Sequence, residues 1–309
     1  MDSGSKTETP ANIFLALPPP YTDPDLAAFW VVPVPFERTT SYQKGTALGP
    51  AAILAASAQV EFHDEELDSQ PARAGIHTTA PFPVDREGEE FCKALATACG
   101  AWWKEGRVIA LLGGEHTISI GPVRALSRRY PGMGVLHIDA HADLRNSYEG
   151  SLYNHACTAR RLLEISPLVQ VGVRAISTPE ARFLRETDRV KTFMVQDSHA
   201  NLPGRVCDAL PETVYITLDI DGLDPSVAPG TGTPQPGGLG YREVLHLLRE
   251  VCQRKTVVGM DLVEVRPLPG NAMTEFLAAR LLYKMMGYIA TRGGACTPAW
   301  PCISSGASG

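Results

Sequence analysis

Short, β-branched, almost uninterrupted apolar runs recur at residues 30–34, 108–112, 134–139, 169–173, 214–219 and 257–263. Few of them alternate strictly between apolar and polar residues. Continuous apolarity suits a strand covered on both faces, as in a parallel sheet. Between these runs, apolar residues return at helical spacing over 50–59, 89–104, 117–129, 156–164, 179–186 and 241–253. Strand and helix alternate, which predicts βαβ units that build one sheet. The expected fold is therefore α/β, a single three-layer domain with a central, mainly parallel sheet flanked by helices. The stretch 274–290 carries Arg280 and Lys284 in mid-run, which marks a docked helix, not a membrane span. No repeat or low-complexity linker divides the chain. The expected organisation is a frayed N-terminus (1–12), one body (13–303) and a frayed tail (304–309).

Composition narrows the partners. The chain has 309 residues, with 28 Lys+Arg against 34 Asp+Glu, for a formal charge of −6. Its longest positive runs are the pairs Arg128-Arg129 and Arg160-Arg161, which argues against nucleic acid or a membrane surface. The seven cysteines are odd in number and widely spaced, with no C-x-x-C pair. That pattern predicts reduced thiols in a cytoplasmic protein, and the N-terminus reads as lacking a secretory signal.

Three polar motifs each follow a predicted strand, where sites gather in open α/β sheets. Gly113-Gly114-Glu115-His116-Thr117 follows the run at 108–112. Its glycines allow a sharp turn, and Thr117 is placed to cap the next helix. Taken alone, His116 reads as a histidine at a helix start. In His137-Ile138-Asp139-Ala140-His141-Ala142-Asp143, the residues Asp139, His141 and Asp143 stand at i, i+2 and i+4. In extended chain these share a face, about 6–7 Å apart. Two unpaired carboxylates beside an apolar strand would suffer desolvation and repulsion, and a divalent cation removes both. In Asp219-Ile220-Asp221-Gly222-Leu223-Asp224-Pro225, Asp219 and Asp221 again share a face, while Asp224 before Pro225 suits a turn.

The candidate metal ligands are thus His116, Asp139, His141, Asp143, Asp219 and Asp221. They exceed what one ion needs and suit two, bridged by carboxylate. An oxygen-rich set without thiolate favours two Mn²⁺ over zinc. Two such ions would take the formal −6 toward −2. Paired metals lower the pKa of a water between them, which predicts hydrolysis but does not choose among phosphoesters, amides and guanidines.

These motifs, in this order, resemble the signatures of the ureohydrolases, the family of arginase, agmatinase and related guanidino-hydrolases. Pro33-Val34-Pro35-Phe36 through Ser41, Gly45 and Gly49-Pro50 is similar to the family's N-terminal segment. Ala228-Pro229-Gly230-Thr231-Gly232-Thr233-Pro234 with Gly237-Gly238 is similar to its loop after the third signature. The likeness covers roughly residues 30–290. It implies an arginase-like fold, a binuclear manganese cluster, and cleavage of a guanidinium group to an amine plus urea. It implies that Asp143 accepts a hydrogen bond from the attacking hydroxide, that His155 shuttles protons, and that Glu264 grips the guanidinium. Parallel hydrogen bonds from a guanidinium to a carboxylate fit the last role, although an ion pair with Arg266 is a competing use of Glu264. A histidine can titrate near neutrality, as the second role requires, although His155 could simply pack at a helix start. Zinc deacetylases of similar fold keep a single-metal ligand set and fit less well, as does a non-catalytic metal-binding relative.

Arginase should offer polar groups to an amino-acid head. Here Arg145 stands where arginases show Asn, and no acid follows Gly172-Val173-Arg174. The segment Tyr148-Glu149-Gly150 to Tyr153-Asn154-His155-Ala156-Cys157 is more similar to agmatinases. That implies a small cationic guanidino substrate, agmatine giving putrescine, with Glu149 as a contact for the far amine. Gln235 departs from the Glu that agmatinases often carry, which leaves a guanidino acid such as guanidinobutyrate, held by Arg145, as the alternative. The resemblance also implies a homo-oligomer, trimer or hexamer.

Overall fold

In the computed structural model, residues 12–197 and 201–292 are described. The terminal segments expected to fray lie outside them apart from Asn12, as do Cys296 and Cys302. One sheet of eight strands forms the middle layer: β1 (Phe29–Val34), β2 (Ile76–Thr78), β3 (Val108–Gly113), β4 (Gly134–Ile138), β5 (Leu168–Val173), β6 (Val190–Met194), β7 (Thr213–Asp219) and β8 (Thr256–Val263). Their order is β2-β1-β3-β8-β7-β4-β5-β6, and every neighbouring pair is parallel. The six expected strands are present. The pattern did not reveal β2 and β6, the two edges. β2 has only three residues, and in β6 exposed Lys191 and half-buried Thr192 separate buried Val190 from buried Phe193, so no apolar run forms.

Among the described residues, eight α-helices cover the faces: α1 (Gly49–Ser57), α2 (Gly88–Trp102), α3 (Ile120–Leu126), α4 (Thr158–Leu163), α5 (Thr178–Glu186), α6 (Leu202–Ala209), α7 (Tyr241–Arg254) and α8 (Met273–Ala290). The sheet divides the interior into two cores. Within β3, Val108, Ala110 and Leu112 face the core shared with Ile53, Val206, Leu248 and Leu282 of α1, α6, α7 and α8. Ile109 and Leu111 face the other, shared with Phe91, Leu95, Val123 and Leu162 of α2, α3 and α4. Burying each large side chain is worth roughly 1.5–3 kcal/mol. A slip of one residue would exchange the two cores, so the register is strongly fixed.

The expected helix over 117–129 splits into a 3-10 turn, His116–Ser119, followed by α3. Thr117 does not cap it. Its hydroxyl donates instead to Glu115 Oε1 at 2.7 Å. Of the described residues, no helix is long and apolar enough to cross a membrane.

The docked helix, α8, carries a buried cation. Lys284 donates to Asp64 Oδ1 at 2.9 Å, Glu65 Oε1 at 3.3 Å and Glu66 Oε2 at 3.1 Å. Tyr288 adds a hydrogen bond to Glu66, and Arg280 grips both oxygens of Glu65. Burial pushes the Lys284 pKa down, but its hydrogen bonds with Asp64 and Glu66 outweigh this and leave it raised.

Candidate active site

The four central strands, β3, β8, β7 and β4, end at one edge of the sheet. His116 follows β3, Asp139, His141 and Asp143 follow β4, Asp219 ends β7, Asp221 lies in the turn beyond it, and Glu264 follows β8. The chain thus brings residues far apart in sequence into one crevice, as parallel sheets do where the strand order jumps. A close approach at Gly114 makes the crevice possible. A Cβ there would run into the Phe36 carbonyl, and Gly114 O accepts from Glu264 N at 2.8 Å.

All six predicted ligands converge. His116 Nδ1 lies 3.1 Å from Asp139 Oδ2, 3.5 Å from Asp143 Oδ2 and 3.2 Å from Asp219 Oδ2. His141 Nδ1 lies 2.9 Å from Asp221 Oδ2 and 3.6 Å from Asp139 Oδ1. Asp139 turns a different oxygen toward each imidazole and stands between two subsets. Asp224 serves a turn, as expected, accepting from the backbone N–H groups of Ser226, Gly237 and Gly238. Arg174 binds the carbonyls of Gly172, Asp221, Gly222, Leu223 and Gln235, which fixes the loop bearing Asp221.

The electrostatics describe a cluster short of positive charge. Burial, then the charge of Asp139, holds the Asp143 carboxyl well above the usual range, and burial with Asp221 does the same to Asp219. Burial pushes His116 and His141 down, but the carboxylates around them win. His116 is held well above its ordinary value, and His141 is pushed up to about 12. The carboxylates thus favour positive charge at these imidazoles, which a proton or a bound metal can supply.

Unpartnered atoms test whether a metal fits. His116 Nδ1 and Asp139 Oδ2 are buried and make no hydrogen bond. Buried polar atoms rarely stay unpaired without an ion or water to meet them. The hydrogen positions agree. Asp261, buried, accepts from Tyr215 Oη at 2.7 Å and from Thr217 Oγ1 at 2.6 Å. With its hydrogen committed to Asp261, Thr217 Oγ1 must accept from His116 Nε2 at 2.9 Å. Nδ1 is then the nitrogen left to face the carboxylates, as a metal ligand requires.

The expected substrate groups line a cavity of about 300 Å³ with Ser41, Tyr148, Ser177 and Thr233. Glu264 is there, accepting from His116 N at 2.7 Å. Burial and the nearby charge of Glu115 push its pKa up to about 8. Arg266 donates to the Lys44 carbonyl. His155 is there too, with Nδ1 3.2 Å from Thr39 Oγ1 and Nε2 3.5 Å from Ser41 Oγ. Burial lowers its pKa. Arg145 lines the same cavity with its guanidinium 4.8 Å from the Tyr148 ring centre. Glu149 does not. It sits exposed in the turn closed by Tyr148 and Ser151, outside the lining. Asp143 and Glu264 both have left-handed backbone, at φ 51° and 63°, sparsely populated for residues other than glycine and common at working sites.

Sequence reasoning passed over several of these groups. Glu115, fully buried, accepts from Arg38 N and Thr39 N, both at 2.6 Å, and so ties down the loop that reaches His155. His137 stands two residues before Asp139, on the same strand face, and that spacing was the available signal. Asp261 and Thr217 are strand residues whose polarity inside apolar runs was the only hint.

Comparison with known proteins agrees with this geometry. The chain is 40% identical over 274 residues to the N(1)-aminopropylagmatine ureohydrolase of Synechocystis sp., covering 85% of this chain and 89% of that one. It is 33% identical to the agmatinase of Pyrococcus horikoshii, with 87% and 94% covered. The crystal structure of agmatine ureohydrolase of Thermoplasma volcanium superposes with a TM-score of 0.79 at 29% identity, covering 90% of this chain and 94% of that one. The sequence model of the Arginase family matches residues 27–287, and the chain belongs to that family.

Proposed function

We propose that the protein hydrolyses the guanidinium group of agmatine or a closely related guanidino-amine, giving urea and the free amine. The observation that carries this is the meeting of the buried Asp/His cluster with Glu264 and His155 around one cavity. The amine end rests on the relatives named for agmatine and aminopropylagmatine. Two Mn²⁺ would be held by His116, Asp139, Asp143 and Asp219 on one side and by His141, Asp221 and the shared Asp139 on the other. When bound, they would supply Lewis-acid charge that makes water a nucleophile at neutral pH.

The chain's own residues do the rest. Glu264 pairs with the planar guanidinium, whose positive charge relieves the carboxyl that burial holds up. Asp143 orients the attacking water toward the guanidinium carbon. The C–N bond to the alkyl chain breaks, and His155 hands a proton to the departing nitrogen. Thr39 and Glu115 hold the imidazole in place for that transfer.

The test is urea release from agmatine, aminopropylagmatine, arginine and guanidinobutyrate by the manganese-loaded protein. Agmatine or its aminopropyl derivative should lead, and no urea from any of them sinks the reading. Arg145 in the lining favours guanidinobutyrate as the second reading. In that case Arg145→Ala should cost about 10-fold or more in kcat/KM for guanidinobutyrate, as loss of a charged hydrogen bond does, and spare agmatine.

A further inference from the structure

We propose that His137 is a positioning residue for the bridging carboxylate, fixed by Gln170 in the tautomer that points its proton at Asp139. The inference rests on the metal reading above and draws further on Gln170 and Thr192 behind the cluster. His137 is fully buried on β4 and lies flat against His116, with ring centres 4.9 Å apart and planes within 7°. Its Nε2 is 3.2 Å from Asp139 Oδ2. Behind it, Gln170 Nε2 lies 2.7 Å from the Ala142 carbonyl and 3.3 Å from His137 Nδ1. Thr192 Oγ1 donates to Gln170 Oε1 at 3.1 Å.

The donors and acceptors allow one assignment. A backbone carbonyl only accepts, so the amide group facing Ala142 O is the NH₂ of Gln170. Its second hydrogen faces His137 Nδ1, which must therefore be bare. A neutral ring with bare Nδ1 carries its hydrogen on Nε2. That hydrogen faces Asp139 Oδ2, the oxygen also turned to His116 Nδ1. A protonated Nε2 cannot ligate a metal, so His137 turns that proton toward Asp139, 3.2 Å away, and adds no ligand. The stacked rings thus present opposite faces to the site: His116 offers a lone pair, and His137 offers a proton. Such outer partners orient ligating carboxylates, and their loss typically weakens metal binding about 10–100-fold.

The experiment titrates Mn²⁺ into the full-length protein against a chelator, in wild type, His137→Leu, His137→Gln and Gln170→Leu. The wild type should bind two equivalents, and failure there counts against the metal reading itself. In His137→Leu one equivalent should weaken about 10–100-fold. His137→Gln, which can place an N–H near the lost Nε2, should recover most of it. Two equivalents at wild-type affinity in His137→Leu overturn the proposal, as does a His137→Gln variant that falls as far as His137→Leu. Should His137→Leu fail to fold, Gln170→Leu carries the test. It should weaken the same equivalent by a smaller factor, and unchanged affinity overturns the proposal. The ¹⁵N-histidine spectrum of the metal-free protein reads the tautomer directly, with the signal assigned by its loss in His137→Gln. A proton on Nε2 is expected, and one on Nδ1 overturns the proposal.

Discussion

Lys284 and Asp139 are both sealed from solvent, but their surroundings follow opposite rules. Around Lys284 one cation meets Asp64, Glu65 and Glu66, with Tyr288, Arg249 and Arg280 completing the acids. Around Asp139, four carboxylates meet His116 and His141, and the buried His116 Nδ1 and Asp139 Oδ2 stay unpaired. The first group is complete as it stands, and its role is to hold α8 to the loop at 64–66. The second is incomplete without a further positive charge. That contrast separates structural burial of charge from functional burial, and it does so without reference to any relative.

Breaking each region should therefore give opposite results. Asp143→Asn should lower urea formation by roughly 10³-fold or more, as loss of one member of a catalytic unit does. The same change should raise the melting temperature of the metal-free protein, because folding no longer buries an acid whose ionised form burial and Asp139 disfavour. A metal-free variant that melts lower than wild type would show that the cluster is no more strained than the Lys284 group. Lys284→Met should do the reverse. It should cost about 3–5 kcal/mol in urea denaturation by stranding the buried Asp64, with turnover per folded molecule unchanged. Glu264→Gln sharpens the distinction within the site. Turnover should fall about 10–100-fold, the worth of a charge-assisted hydrogen-bond pair, while manganese content stays near normal.

The smallest effect concerns pH. Its own backbone N–H and the Arg280 hydrogen bond hold the Glu65 carboxyl near about 2, against an ordinary 4.5. A lowered folded-state pKa stabilises above the unfolded value and is lost as pH falls through the folded one. The stability gap between wild type and Arg280→Ala should thus be full at neutrality and vanish as pH drops from 4.5 to about 2. A gap that persists at the acid end would assign it to packing of the Arg280 stem.

The pattern of residues made much of this legible. The central strands announced themselves because a strand buried on both faces can hold little but apolar residues. The edges β2 and β6 did not: β2 is three residues long, and Lys191 and Thr192 break the apolar run of β6. α6 was hidden by Pro203 and Gly204, which usually break a helix but here occupy its first turn, where the N–H lost at Pro203 has no helical partner. The clustered acids were readable because charge beside an apolar strand is costly. His137 and Asp261 were not, because a lone polar residue inside a strand gains its meaning only from what lies across the sheet.

The left-handed backbone at Asp143 has a consequence for anyone who evolves this enzyme. Asparagine tolerates that conformation as well as any residue bearing a side chain, and it removes the buried charge. Selection for heat resistance alone would find Asp143→Asn attractive on both counts. A library screened only for survival at high temperature should therefore drift toward well-folded, inert proteins, and a catalytic screen must run beside it.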